Sequence, residues 1–247
     1  MDPLTSAAAS GLRARIESLD MLANNLANTS APGFKADREF YTLYQSAEAA
    51  DSPDGTAPPV LPVIERQWTD FSQGAITPTG NSLDVAINGK GFFVAQSPAG
   101  AVYTRGGTLR VSTQGSLETL EGYAVRGRDG KPIPLDSSKS VEITADGTVR
   151  QDGQDISQLA VVNVADPQTL NKRGNNYFWL DSSAIQPLAV AQPDVQQGKV
   201  EAANTQPAES AVRLVNIMRQ FETLQKAMAI GVDMNKRAVE EVAKVTS

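Results

Sequence analysis

The chain has 247 residues, of which 40% are hydrophobic, and carries a formal net charge of -6 at pH 7 with a pI near 4.8. This length is sufficient for one large domain or two modest domains with hydrophobic cores. The acidic balance argues against nucleic acid as a partner, because phosphate binding requires clustered Lys and Arg side chains.

Neither Cys nor His occurs in the chain. Their absence excludes disulfides, thiolate nucleophiles, zinc sites with the usual ligands and catalytic designs that depend on a histidine base. Most common catalytic designs are thereby excluded. With the family resemblance given below, we predict a protein that is not an enzyme, with no catalytic residue, no cofactor, no metal and no small-molecule substrate. No apolar run approaches the ~18 residues of a membrane span, and no cleaved signal peptide is recognisable near the N-terminus.

The first predicted element is a helix from about residue 3 to residue 29. Pro3 suits the first helical position, and Pro32 and Gly33 supply a stop. Apolar residues recur along this helix at alternating steps of four and three, the pattern that coiled coils require. They are Leu12, Ile16, Leu19, Ala23 and Leu26.

Residues 46–63 are rich in Pro, Asp and small polar residues, which predicts an extended linker. From residue 64 to residue 185 the hydrophobic period changes to two, as in Leu83, Val85 and Ile87. Turn signals at Glu121–Gly122 and Asp146–Gly147 predict two hairpins. These features predict a compact, mainly antiparallel β domain.

Gly89, Lys90 and Gly91 precede Phe92 and Phe93. A phosphate-binding loop is disfavoured here, because no helix follows these glycines. We predict a tight hairpin, after which the two phenylalanines point to opposite faces of a strand, one into the core and the other towards another domain.

Residues 186–199 return to Gln, Pro and Ala and are predicted to form a connector. A final helix follows from Pro207 to the end of the chain, with four acid–base pairs at a spacing of four, among them Glu209 with Arg213 and Asp233 with Arg237. Its seam has the same alternating spacing and consists of Leu214, Met218, Phe221, Gln225, Met228, Val232 and Asn235. A membrane-surface function for the helices is disfavoured, because their polar faces lack a basic excess.

Two polar groups have alternative interpretations. Asn24, Asn25 and Asn28 either form a polar helix face or donate hydrogen bonds to neighbouring subunits, and their poor helix propensity favours the latter. Nothing in the sequence places Asp84 at the distance from Glu65 or Asp70 that glycoside hydrolysis requires of two carboxylates. A structural hydrogen bond between the Asp84 carboxylate and the backbone is therefore favoured over a catalytic role.

Several segments resemble the axial proteins of the bacterial flagellum, the rod and hook family. The similarity runs in order along nearly the whole chain. Its residues are Leu22, Ala23, Asn24, Asn25, Leu26, Ala27, Asn28, Pro32, Gly33, Phe34 and Lys35; then Gly74, Thr79, Gly80, Leu83, Asp84, Val85, Ala86, Ile87, Gly89, Gly91, Phe92, Phe93, Tyr103, Thr104 and Arg105; and finally Gly198, Glu201, Asn204, Met218, Arg219, Phe221 and Glu222. Within the family, the short middle and the ending Phe221–Glu222 look most similar to the proximal rod members, with distal rod or hook members as the alternative.

The resemblance implies an α+β fold in which residues 1–45 and 200–247 pair into a coiled-coil-like helical core domain. It also implies a structural subunit that polymerises with copies of itself and with other rod proteins into a hollow tube across the periplasm. Such proteins are exported through the flagellar type III apparatus without a cleaved signal peptide. From the seams we expect the helices to become ordered when they are buried against neighbouring subunits. A secreted carbohydrate-active β protein is a distant alternative.

The expected subunit interface comprises both helical seams and the three asparagines. The residues expected to form the structural motif of the β domain are Gly33, Phe34, Gly80, Leu83, Asp84, Ile87, Gly89, Gly91, Phe92 and Phe93.

Overall fold

The structure is a computed structural model that describes residues 3–44, 61–174, 176–181 and 186–245. It is an α+β protein with mainly antiparallel sheets, and it divides into two compact units. We call residues 1–27, 37–68 and 207–247 the helical unit, and residues 28–36 and 69–206 the β unit. Among the described residues, no helix is both long enough and apolar enough to cross a membrane.

The helical unit contains helices α1 (Pro3–Ala27) and α2 (Pro207–Val245) and a two-stranded sheet of β1 (Asp37–Tyr44) and β2 (Leu61–Thr69). Both helices are therefore confirmed, α1 ending two residues earlier than predicted, in a turn where the Ala31 N–H donates to the Asn28 carbonyl at 3.0 Å. The predicted linker 46–63 lies outside the described residues except for its last three, which belong to β2.

Two of the predicted acid–base pairs on α2 form at the spacing of one helical turn. Arg213 lies 2.7 Å from Glu209, and Arg237 lies 2.9 Å from Asp233. All four side chains are largely exposed, so each pair contributes at most about 0.5 kcal/mol to helix stability. These pairs mark the solvated side of α2.

The β unit is built from short strands. They are β3 (Ile76–Pro78), β4 (Val85–Asn88), β5 (Phe92–Ser97), β6 (Gly100–Thr104), β7 (Leu109–Val111), β8 (Leu117–Thr119), β9 (Ala124–Val125), β10 (Val141–Ile143), β11 (Thr148–Gln151), β12 (Gln154–Gln158), β13 (Val161–Asn163), β14 (Leu170–Arg173), β15 (Tyr177–Leu180), β16 (Leu188–Ala189), β17 (Asp194–Gln197) and β18 (Lys199–Glu201). All the described pairings in this unit are antiparallel, as the turn signals predicted.

The largest sheet has the strand order β14-β15-β6-β5-β9-β8-β7, with β13 joining β5 and β16 joining β13. Phe92 and Phe93 are consecutive on β5 and both are buried. Since consecutive side chains of a strand point to opposite faces, Phe93 enters the larger core with Ile87 and Leu117, whereas Phe92 packs edge-on against Phe71 and Phe178. The predicted opposite orientation is confirmed, but both rings lie in cores of the β unit.

Two predicted hairpins are confirmed and one is wrong. Asp146–Gly147 joins β10 to β11, and Glu121–Gly122 joins β8 to β9, with positive φ at both glycines. The turn at Gly89–Gly91 does not make a hairpin, because β4 pairs with β17 while β5 pairs with β6, β9 and β13. The two glycines, with φ of 100° and 130°, instead turn the chain from one sheet into another.

The segment predicted as a connector, residues 186–199, contributes β16 and β17 to the β unit. Strand β17 pairs with β4 so that Val195 lies opposite Ile87, and both side chains are buried. Its polar composition concealed this strand, because Asp194, Gln196 and Gln197 surround a single buried residue. The segment therefore belongs to the fold of the β unit.

Candidate assembly site

The buried face of α1 consists of small and polar residues together with one leucine. Its members, at steps of three and four, are Gly11, Ala14, Ser18, Leu22 and Asn25. This face contacts α2, since a Cβ atom at Gly11 would lie 3.4 Å from Cδ1 of Leu224. Gly11 therefore allows close approach of the two helices.

The predicted seam of α1 lies about one residue further round the helix, roughly 100° from the buried face. Ile16 is 48% exposed and Ala23 is exposed as well. Leu12, Leu19 and Leu26 are half-buried. Within the single chain, this seam is therefore only partly covered.

From Leu214 onwards, the inward face of α2 is the set of described positions that are not exposed: Leu214, Ile217, Phe221, Leu224, Met228 and Gly231. It shares Leu214, Phe221 and Met228 with the predicted seam. The other seam members, Met218, Gln225, Val232 and Asn235, are exposed. The structure thus divides the predicted seam into an inward half and an outward half.

Along α2, burial ends at Gly231, since residues 232–237 are all exposed. Val232 and Met234 are 58% and 63% exposed, so an apolar part of α2 is mostly uncovered among the described residues.

The asparagines of the first segment differ in their environments. Asn24 is exposed, whereas Asn25 and Asn28 are buried. The Asn25 amide donates to the Asp37 carbonyl at 2.8 Å, and its oxygen accepts from the Asp37 N–H at 2.9 Å. Asn25 therefore holds the start of β1 within its own chain, and a bond from this amide to a neighbouring subunit stays a prediction.

Within the β unit, Gly33 and Phe34 are packed where the segment after α1 meets residues 105 and 106. Gly33 has a φ of 71°, and a Cβ atom there would lie 2.3 Å from the Arg105 carbonyl carbon. Only glycine satisfies both requirements. Phe34 is fully buried, and Lys172 Nζ lies 4.7 Å from the centre of its ring.

The remaining motif residues have structural roles in the same unit. Asp84 is buried and accepts a hydrogen bond from Nδ2 of Asn81 at 3.2 Å, so its favoured backbone bond is replaced by a side-chain bond. The Gly80 N–H donates to the Gly198 carbonyl at 3.1 Å. Leu83 packs at the edge of the larger core, in which Ile87 is fully enclosed.

Lys35, Arg105 and Glu201 form a buried charge cluster in the β unit. Lys35 Nζ lies 2.5 Å from Oε1 of Glu201, and Nη1 of Arg105 lies 3.2 Å from Oε2. The side chains of Lys35 and Glu201 are fully buried, and that of Arg105 is 5% exposed. The cluster thus contains two cations and one anion with almost no access to water.

Main-chain groups make further hydrogen bonds to this cluster. Lys35 also donates to the Ser72 carbonyl at 2.6 Å, and Arg105 donates to the carbonyls of Ile87 at 3.1 Å and Gly89 at 2.5 Å. The Gly74 N–H donates to Oε1 of Glu201 at 2.9 Å. Hydrogen bonds of this kind are what make burial of charged groups tolerable.

Burial affects the proton affinity of both cations. It lowers the pKa of Lys35 below the ordinary value of 10.5, and the Glu201 carboxylate opposes that shift. Burial likewise lowers the pKa of Arg105 below 12.5, again against the pull of Glu201. Glu201 therefore favours the charged forms of both side chains, against the effect of burial.

Asn204 adds further hydrogen bonds beside the cluster. Its Oδ1 accepts from the Ala36 N–H at 2.8 Å, and its Nδ2 donates to the carbonyls of Asp70 at 2.6 Å and Ser72 at 3.2 Å. Lys35, Arg105, Glu201 and Asn204 were not among the predicted site residues. All four are among the residues that carry the family resemblance, and this could have marked them as important. The spacing of the residues, however, gave no reason to place them together.

No group of three or more acidic side chains within the described ranges is gathered closely enough to hold a metal ion. The exposed apolar side chains of the helices suit protein–protein assembly, and the cluster, being enclosed, suits a structural role.

Three family profiles match separate segments of the chain. Residues 6–35 match the profile described as flagella basal body rod protein, and residues 86–151 match the flagellar hook protein FlgE/F/G D1 domain. Residues 196–241 match the C-terminal profile of flagellar basal body rod FlgEFG proteins. Lys35, Arg105 and Glu201 each lie in a different one of these segments.

Whole-chain comparison finds relatives that are likewise named flagellar basal-body rod proteins. Flagellar basal-body rod protein FlgF of Caulobacter vibrioides is 34% identical over 229 residues, covering 92% of both chains. FlgF of Mesorhizobium japonicum is 30% identical over 85% of both chains. FlgG of Buchnera aphidicola subsp. Schizaphis graminum is 32% identical over 88% of this chain and 91% of its own.

Proposed function

The chain belongs to the family of flagellar basal-body rod proteins, and we propose that it polymerises through its terminal helices into the rod. It is a structural subunit of the flagellar basal body, in a family of structural proteins. The observation that carries the proposal is the outward apolar half of α2, represented by Met218 and Val232. Exposed apolar side chains at coiled-coil spacing favour burial against further helices.

In this proposal the pair of α1 and α2 acts as a coiled-coil-like core domain. The inward faces pack within one subunit, and the outward half of α2 and the seam of α1 pack against copies of the chain and other rod proteins. Contacts of this head-to-tail kind generate open helical assemblies when the rotation between subunits does not close. Catalysis has no part in this function.

We further propose that the helical unit gains order on assembly. Residues of α2 beyond Gly231 have no described burial in the single chain, and a helix without tertiary packing is marginal in water. Far-ultraviolet circular dichroism should show more helix per residue in the polymer than in dilute monomer. Equal helix content in the two states would contradict this part.

The position we propose is the proximal rod, and the support is the short middle and the Phe221–Glu222 ending. Export through the flagellar type III apparatus is proposed on the same resemblance. A density map of intact basal bodies with this subunit labelled tests the position, and its placement in the distal rod or hook would contradict it. Retention of the chain inside cells that lack a working export gate tests the route.

The function itself is tested by deletion and complementation in the parent bacterium. A strain that lacks the gene should not swim, the wild-type chain should restore swimming, and purified basal bodies should contain the chain in their rods. Normal swimming of the deletion strain, or absence of the chain from complete basal bodies, would contradict the proposed function.

A further inference from the structure

The two segments that lead to the terminal helices are hydrogen-bonded to each other inside the β unit. One follows α1 in the chain and contains Gly33 to Ala36, and the other precedes α2 and contains Glu201 to Asn204. The Gly33 N–H donates to the Glu201 carbonyl at 2.6 Å, and the Asn204 N–H donates to the Phe34 carbonyl at 3.3 Å. Side chains add the Lys35–Glu201 ion pair and the Asn204–Ala36 bond.

Stability alone does not account for ionic contacts at this place. Replacing a buried ion pair by apolar residues of similar size is often neutral or stabilising, so such pairs are weak evidence for stability. Directional charged groups do have a well-attested use in fixing one geometry against others. Here the charged groups are bonded to several different chain segments, including residues 72, 74, 87 and 89.

The helices themselves specify their register weakly. The buried face of α1 carries Gly11, Ala14 and Ser18, which are small side chains that interlock little with the opposite helix. On α2, the inward positions repeat every seven residues, as in Ile217, Leu224 and Gly231. A shift of seven residues would therefore place Gly11 opposite a position of the same kind.

We propose that Lys35, Arg105, Glu201 and Asn204 are positioning residues for assembly: they clamp the two segments together and thereby fix the register in which α1 and α2 pair. We call these four residues the clamp. The clamp acts through the chain, because the segments it joins continue into α1 and α2. The benefit to polymerisation rests on the proposed function. Only a subunit that assembles needs the outward seam of α2 at a fixed position along the helix pair.

The register can be measured directly by disulfide trapping, because the chain contains no cysteine of its own. Gly11→Cys with Leu224→Cys reports the observed register, since a Cβ at position 11 lies 3.4 Å from the Leu224 side chain. Gly11→Cys with Ile217→Cys, and with Gly231→Cys, reports shifts by seven residues in either direction. In the otherwise wild-type chain, mild oxidation should cross-link the first pair at least about tenfold more than the other two.

The clamp variant for this assay is Lys35→Met combined with Glu201→Gln. It removes the ion pair but leaves the buried net charge unchanged at one positive charge, that of Arg105. The Gln amide oxygen still accepts hydrogen bonds, and the Ser72 carbonyl keeps its bond from Asn204. The variant should therefore fold, while cross-linking at 11 and 224 falls at least about fivefold and cross-linking at a shifted pair rises. An unchanged 11–224 yield in the folded variant would overturn the proposal.

If the double variant does not fold, Asn204→Asp decides the question. Asn204 is half-buried and uncharged, and Asp at this position loses the bonds donated to Asp70 and Ser72. A fall in the 11–224 yield with a rise at a shifted pair supports the clamp, and an unchanged yield overturns it. Swimming of the complemented deletion strain is a separate measurement. If the wild-type chain does not restore swimming, the proposed function is contradicted, but the cross-linking result for the register still stands.

Discussion

Lys35 and Glu201, 166 positions apart in the chain, meet as a fully buried ion pair with 2.5 Å between Nζ and Oε1. The same carboxylate faces Arg105, so removing its charge leaves two buried cations without an anion. We expect Glu201→Gln to lower the free energy of unfolding by about 3–5 kcal/mol. Urea unfolding followed by circular dichroism measures this loss.

The matched control for that variant is Asp155→Asn. Asp155 also lies 2.5 Å from its partner, Arg150, but both side chains are substantially exposed. Solvent screening limits such a pair to about 1 kcal/mol or less. An equal loss in the free energy of unfolding for the two variants would show that burial of the Glu201 cluster does not affect stability.

Gly33→Ala should destabilise the β unit more than Gly130→Ala. The two glycines have similar φ, 71° and 78°, but a Cβ at residue 33 would lie 2.3–2.5 Å from the main chain of residues 105 and 106, whereas residue 130 has open space. The strained backbone alone costs about 1–2 kcal/mol. We expect that loss for Gly130→Ala, and more than about 4 kcal/mol or failure to fold for Gly33→Ala, in thermal or urea unfolding.

Val232→Asp should abolish swimming without lowering the stability of the monomer. Val232 is 58% exposed in the single chain, so the new charge meets water there and meets apolar side chains only in the assembled rod. Thr223→Asp is the control, because Thr223 is also β-branched and exposed but lies away from the seam. Swimming in soft agar should be lost for the first variant and retained for the second. A motile Val232→Asp strain would count against the outward seam.

Tyr177 should make the protein less stable at alkaline pH. Burial, and then the hydrogen bond that its hydroxyl donates to Glu121, raise the pKa of the Tyr177 phenol above its ordinary value of 10.0. Above about pH 10 the unfolded chain releases this proton while the folded chain retains it, so stability falls as pH rises. Tyr177→Phe should flatten that fall, which melting temperatures at about pH 8 and about pH 11 would measure. Parallel curves for the two proteins would refute the assignment.

Local features were predictable from the sequence because their causes are local. The two helices follow from seam spacing and from Pro3, Gly33 and Pro207, and two hairpins follow from Gly122 and Gly147. The third hairpin failed because two glycines specify that the chain turns but not which strand lies alongside. Strand partners are chosen by burial over the whole sheet, which is also why β17 was hidden in a polar segment.

The sequence alone was enough to assign the class of protein and the two terminal helices, and its composition excludes chemistry that needs Cys or His. Folding in three dimensions selects which side of each helix turns inward. Gly11, for example, faces the other helix because it allows close approach and not because it is hydrophobic. Folding also brings Lys35, Arg105 and Glu201 together. Arg105 and Lys35 lie 96 and 166 residues from Glu201 in the chain, so no local pattern links them. Only in the folded chain are these charges removed from water, and only there must each be paired.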